Sequence, residues 1–143
     1  MCLALGGKHV EDVPGYKSIT HYIACDDDES FKRTFSTIAA FGTAQHIVKS
    51  SWLIKSFQAK KVLPVHNYLI PDSVTHTKYG FSISTTLVNA KSNRPGGLLS
   101  GKYVYCSSGA LGKGSITPKQ MEKLVVLFGG TWIATQTKLL SRC

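Results

Sequence analysis

Acidic side chains are scarce: the 143 residues include 8 Asp and Glu against 17 Lys and Arg, for a formal charge of +9. That imbalance disfavours cationic partners and favours acidic ones such as phosphoproteins, nucleic acid or anionic surfaces. The lysines are nevertheless scattered from Lys8 to Lys138, with no basic helix stripe or aromatic-basic alternation, so direct DNA contact through a basic surface is a minor alternative. Paired cysteines are missing too. Cys2, Cys25, Cys106 and Cys143 form no C-x-x-C pair, and His9, His21, His46, His66 and His76 show no ligand spacing, which argues against a zinc or dithiol site; no metal is expected. The longest apolar run, Leu124 to Phe128, cannot span a bilayer. The expectation is a soluble, intracellular, reduced protein with no membrane partner. Gly112-Lys113-Gly114-Ser115 fails as a phosphate loop, because glycine follows the lysine and the gap back to Gly109 is too short. No Ser, His and Asp set stands out, so no catalytic residue, enzymatic activity or cofactor is expected.

What is present is a folding composition, 43% hydrophobic and 17% charged, in a length that suits one ordinary domain and is short for two. The clearest local signal is Thr117-Pro118-Lys119-Gln120, a capping hydroxyl followed by proline at the first helical position and a glutamine that closes a capping box. Met121, Leu124, Val125 and Phe128 continue one apolar stripe, Gly129-Gly130 supplies a left-handed stop, and Thr131 to Ala134 reads as a strand. Leu3-Ala4-Leu5-Gly6-Gly7 followed by Lys8-His9-Val10 repeats the end of that pattern. The two glycine pairs lie 123 positions apart, which suggests two copies of a domain rather than a solenoid.

Between them, Thr20 to Cys25 reads as a strand buried on both faces. A helix should follow, with Asp26 to Glu29 near its positive end and Phe35, Ile38, Ala39 and Gly42 on its apolar face. His46-Ile47-Val48 reads as a short strand, and Ser50 or Ser51 can cap the next helix, with Leu53 and Phe57 on one side and Trp52 adding apolar surface. Leu63 to Asp72 is turn-rich, Phe81 to Ala90 suits a short linker helix, and Lys102 to Cys106 opens a second copy as a strand. Alternating strands and helices imply an α/β chain with parallel sheet.

The ordered set Gly6-Gly7, Thr20 to Ala24, Arg33-Thr34, His46 to Val48 and Ser51-Trp52-Leu53 resembles the BRCT domain. Asn67 to Ile70, Tyr79 to Ile83 and Lys102 to Tyr105 resemble the linker and second repeat of tandem BRCT proteins of the checkpoint-mediator type, so the resemblance covers nearly the whole chain. It implies a parallel four-stranded sheet flanked by helices in each repeat, with both copies incomplete here. Residues 1–72 would be repeat one lacking its first strand, 73–100 the linker, and 101–143 the start of repeat two. It also implies a nuclear adaptor of the DNA-damage response that binds a phosphorylated protein or histone tail.

Carried over position by position, the resemblance makes Arg33 the residue that holds the peptide main chain or terminal carboxylate, followed by Thr34. Ser36 stands where a phosphate-binding lysine is expected, and Ser115, Ile116 and Lys119 would line the groove. Ser108 and Gly109 form a candidate phosphate pocket after the first strand of repeat two. Loss of the lysine at Ser36, together with the acidic run Asp26 to Glu29, favours a scaffold that binds without phosphate as the alternative. The strand at Lys102 to Cys106 is a candidate donor for repeat one, within the chain or in a domain-swapped homo-oligomer, which would set Ser108 and Gly109 beside Arg33 and Ser36.

Overall fold

The computed structural model describes residues 1–11, 19–25, 31–32, 34–92, 96–107, 109–111 and 116–134. They hold five α-helices and four short strands. Strand β1 (His21–Ala24) leads to α1 (Phe35–Thr43), β2 (His46–Lys49) and α2 (Ser50–Gln58). Helices α3 (Asp72–Tyr79) and α4 (Ile83–Ser92) follow, then β3 (Tyr103–Tyr105), α5 (Pro118–Leu127) and β4 (Thr131–Ile133). None of these helices is long and apolar enough to cross a membrane.

The α/β fold of the BRCT kind is present, and its strands form two separate parallel pairs among the described residues, as two incomplete copies of a parallel sheet would. β1 runs beside β2, with His21 opposite His46 and Ile23 opposite Val48, and β3 runs beside β4, with Tyr103 opposite Thr131. Ile23 and Tyr103 therefore belong to different sheets, which overturns the expectation that the strand at 102–106 completes repeat one of the same chain. β3 is already paired with β4 across a parallel crossover through α5, so the arrangement that would bring Gly109 beside Ser36 does not form.

Successive side chains of a strand face opposite ways, and β1 and β2 use both faces. Tyr22 and Ile47 join a core of Phe31, Phe41, Ile70 and Ile83, against which Val74, Tyr79, Phe81 and Leu87 also pack. The helices between 72 and 92 thus close the apolar face of the first sheet. On the other face, the His21 ring stacks on Trp52 of α2 with centroids 4.5 Å apart, and the Trp52 indole N–H donates to the Leu63 carbonyl at 2.8 Å.

Several local expectations change. α1 starts at Phe35, capped by the Thr34 hydroxyl that accepts from the Thr37 amide; the acidic run at 26–30 lies outside the described residues. In α2 the cap position is Lys49 and Ser50 is already helical, so neither serine caps it. Trp52 and Ser56 are the buried positions, whereas Phe57 is 44% exposed. The turn-rich stretch holds a 3-10 turn, Val65–Tyr68, and the sequence reading missed α3 altogether. The repeat between the two glycine pairs holds at the stops, since Gly6 and Gly129 both have left-handed φ (76° and 83°), but β4 has no counterpart strand at Lys8–Val10.

Candidate functional site

The two copies meet where α1 lies against α5. Ala39, Leu124 and Leu127 form a buried cluster, and Phe35, Ile38, Ile116 and Phe128 pack on it. A Cβ placed on Gly42, near the end of α1, would come within 2.2 Å of the Phe128 ring, just past the end of α5. Phe35 and Ile116, at the two helix starts, pack on the same cluster. The helices therefore run in the same direction, and their N-termini share one end of the seam.

Each start is capped by its own sequence. Thr117 accepts from the Gln120 amide at 3.2 Å while the Gln120 side chain accepts from the Thr117 amide at 3.0 Å, as the Thr-Pro-x-Gln spelling predicts. At α1, Thr37 is the hub. Its buried hydroxyl donates to the Lys32 carbonyl at 3.0 Å and lies 2.9 Å from the Thr34 hydroxyl and 3.2 Å from the Tyr22 hydroxyl. One residue further back, the Phe31 carbonyl accepts from Lys78 Nζ at 3.1 Å and from the Tyr79 hydroxyl at 3.2 Å. The chain on either side of position 33 is thus tied to α1 and to α3. Among the described residues no buried side-chain nitrogen or oxygen lacks a hydrogen-bond partner.

Thr34 is exposed and caps α1, Ser36 is half-buried in the first turn of α1, Ile116 is half-buried on the seam, and Lys119 is exposed in the first turn of α5. Thr34 and Ser36 thus sit at the start of α1, and Ile116 and Lys119 at the start of α5. Gly109 lies in the loop that leaves β3, with φ 81°. Arg33, Ser108 and Ser115 lie outside the described residues. Two backbone macrodipoles present their positive ends here and Lys119 adds a full charge, so the end suits an anion. Sequence reasoning missed Thr37, Lys78 and Tyr79. The proline-acid start at Pro71-Asp72 and the left-handed stop at Gly80 (φ 74°) were the signals for the helix that carries the last two.

Two further polar clusters fix the frame. Asp72 of α3 accepts from the Ser82 hydroxyl at 2.9 Å and from the Ser84 amide at 3.0 Å, and also from the Ser84 hydroxyl, so a residue of one helix caps the next. The Ser84 bonds above all hold its carboxyl below the ordinary range. His21 is held below its usual value by burial first and by neighbouring His46 second.

No family model matches the chain. It is 27% identical over 136 residues to Mediator of DNA damage checkpoint protein 1 of Homo sapiens, covering 95% of this chain and 6% of that protein. It is 30% identical over 105 residues to PAX-interacting protein 1 of Bos taurus, covering 73% of this chain and 10% of the relative. The crystal structure of the S. pombe Brc1 BRCT5-BRCT6 domains superposes with a TM-score of 0.76 at 18% identity, over 99% of this chain and 63% of that one. The chain thus spans a small part of its curated relatives and under two thirds of the solved pair, and none of these comparisons indicates a catalytic family. The chain has the fold of a tandem BRCT pair, with its strand and helix units joined along α1 and α5, and is similar in sequence to a DNA-damage-checkpoint mediator and to a PAX-interacting protein.

Proposed function

We propose that the chain is a protein-interaction adaptor of the nuclear DNA-damage response whose seam reads a phosphoserine or phosphothreonine peptide. The single observation that supports this reading is that α1 and α5 start at the same end of the seam, with Phe35 and Ile116 packed on one cluster; Thr34 and Ser36 belong to one helix start, Ile116 and Lys119 to the other. In this reading Lys119 and the helix starts attract the phosphate, Arg33 takes the peptide main chain or a terminal carboxylate such as that of a histone tail, and Ile116 with Ser115 bounds the groove. The ties on Phe31 and Lys32 keep the approach to Arg33 in place before the ligand arrives, which lowers the ordering cost of binding. Ser108 and Gly109 would serve only a pocket in the second copy.

Fluorescence anisotropy with paired phosphorylated and unphosphorylated peptides tests it. Phosphorylation should tighten binding by roughly tenfold or more, in line with charge-assisted hydrogen bonds. Equal affinities would reject phosphate reading and leave the phosphate-independent scaffold, which Ser36 in the first turn of α1 favours because it brings no charge to the anion. DNA binding through the surplus of lysines would instead show a steep fall of affinity with salt.

A further inference from the structure

The opposite end of the seam holds a feature that the peptide reading does not use. Where α1 and α5 stop, α4 and the turn at 96–98 close over them and leave a cavity of about 720 Å³. Phe41, Asn89, Ala90, Leu98, Val126 and Phe128 are among its walls. The helices that separate it from Thr34 and Lys119 have nine or ten residues, about 14 Å at the rise of an α-helix.

We propose that this cavity is a second docking pocket, which takes an apolar anchor side chain presented by an acidic, unphosphorylated segment of another protein. Its size falls within the range of about 300–1,000 Å³ common to ligand pockets. None of its lining residues is charged, although the chain carries +9 overall. A phosphate or carboxylate pushed inside would lose its hydration without gaining a counter-charge, so the inserted group is apolar. The rim is apolar as well, since Leu98 is 58% and Val126 53% exposed, and such side chains gathered at the mouth of a cavity mark an interaction surface.

The walls are set before binding. Gly97 (φ 85°) packs against the Phe128 carbonyl and Gly129 (φ 83°) against the Gly96 carbonyl, closely enough that a Cβ on either would clash with backbone. The Leu99 amide closes the turn by donating to the Phe128 carbonyl at 2.8 Å. A pocket already shaped this way incurs little ordering cost on binding. Charge selects the kind of partner: two copies of a +9 chain repel each other, whereas acidic residues flanking the anchor would be drawn to the basic surface.

A random peptide library displayed on phage, selected against the whole chain, supplies the probe. The selected unphosphorylated peptides should share a Leu, Ile, Met or Phe among Asp and Glu. Their affinity, measured by anisotropy, should fall roughly tenfold or more on Leu98→Asp and on Val126→Asp, and fall far less on Lys119→Glu, which changes only the long-range charge. Both pocket positions are more than half exposed, so at least one variant should keep the wild-type melting temperature and report cleanly. The proposal fails if selection yields no binder, if the peptides lack an apolar anchor, or if both pocket variants bind as wild type. It also fails if affinity is lost on Lys119→Glu instead, which would move the contact to the phosphate end. A concentration-dependent dimer abolished by Val126→Asp would likewise overturn it in favour of a second copy of the chain.

Discussion

Where α1 and α5 start, hydroxyls and an exposed ammonium meet solvent; where they stop, glycines let two helices and a turn close around aromatic and aliphatic side chains. The first end is organised by hydrogen bonds that each helix makes with its own cap, Thr34 to Thr37 and Thr117 to Gln120. The second is organised by close approach between segments far apart in sequence, with Gly42 under the Phe128 ring and Gly129 against Gly96. The difference teaches that one helix pair can carry two kinds of surface. Capped N-termini leave polar groups facing outward to solvent, and glycine-packed C-termini leave an uncharged hollow.

The comparison breaks most severely at Gly42. Gly42→Val would drive its side chain into the Phe128 ring and should cost about 3 kcal/mol, seen as a lower urea midpoint with an unchanged slope. A smaller effect separates binding from stability at the other end. Lys119→Glu should weaken a phosphopeptide roughly tenfold, or about 1.4 kcal/mol, and leave the melting temperature in place, because Lys119 is exposed. Thr117→Ala removes half of the capping box and should cost about 1 kcal/mol by denaturation, with little change in pocket binding.

The mildest test lies away from both ends, at His21. Burial and His46 hold its folded pKa below the unfolded value, so the folded state resists taking up a proton that the unfolded chain accepts. This part of the stability is intact above the unfolded pKa, about 6.5, and declines as pH falls from there toward the lower folded value. Urea titrations across that window should show a slope that flattens in His21→Gln. An equal slope in the variant would assign the pH dependence to other groups.

Much of the local structure is legible in the residues. Thr117-Pro118-Lys119-Gln120 spells the start of α5 and Gly129 its stop, because capping is settled by neighbours three residues apart. The same locality misled at α2, where Ser50 and Ser51 look like caps yet Lys49 holds that position, since β2 runs directly into the helix. α3 went unread because its stripe is weak: Thr75 is its buried residue, held by a hydrogen bond to the Asp72 carbonyl, so polar spelling hides a packed helix. For the candidate site, Thr34, Ser36, Ile116 and Lys119 came from family resemblance, whereas Lys78 and Tyr79 reach the Phe31 carbonyl from more than forty positions away and no spacing rule connects them.

By itself the sequence determined the order of the four strands and of every α-helix except α3, the stops at Gly6 and Gly129, the basic charge and the positions that resemble a tandem BRCT pair. Those properties depend on composition and on contacts a few residues long, which a linear reading can supply. Only the tertiary structure decided that β1 pairs with β2 and β3 with β4 in separate sheets, that α1 and α5 run side by side in one direction, and that a hollow opens where they end. Each of these depends on which distant apolar faces bury one another and how closely glycine lets the backbones approach.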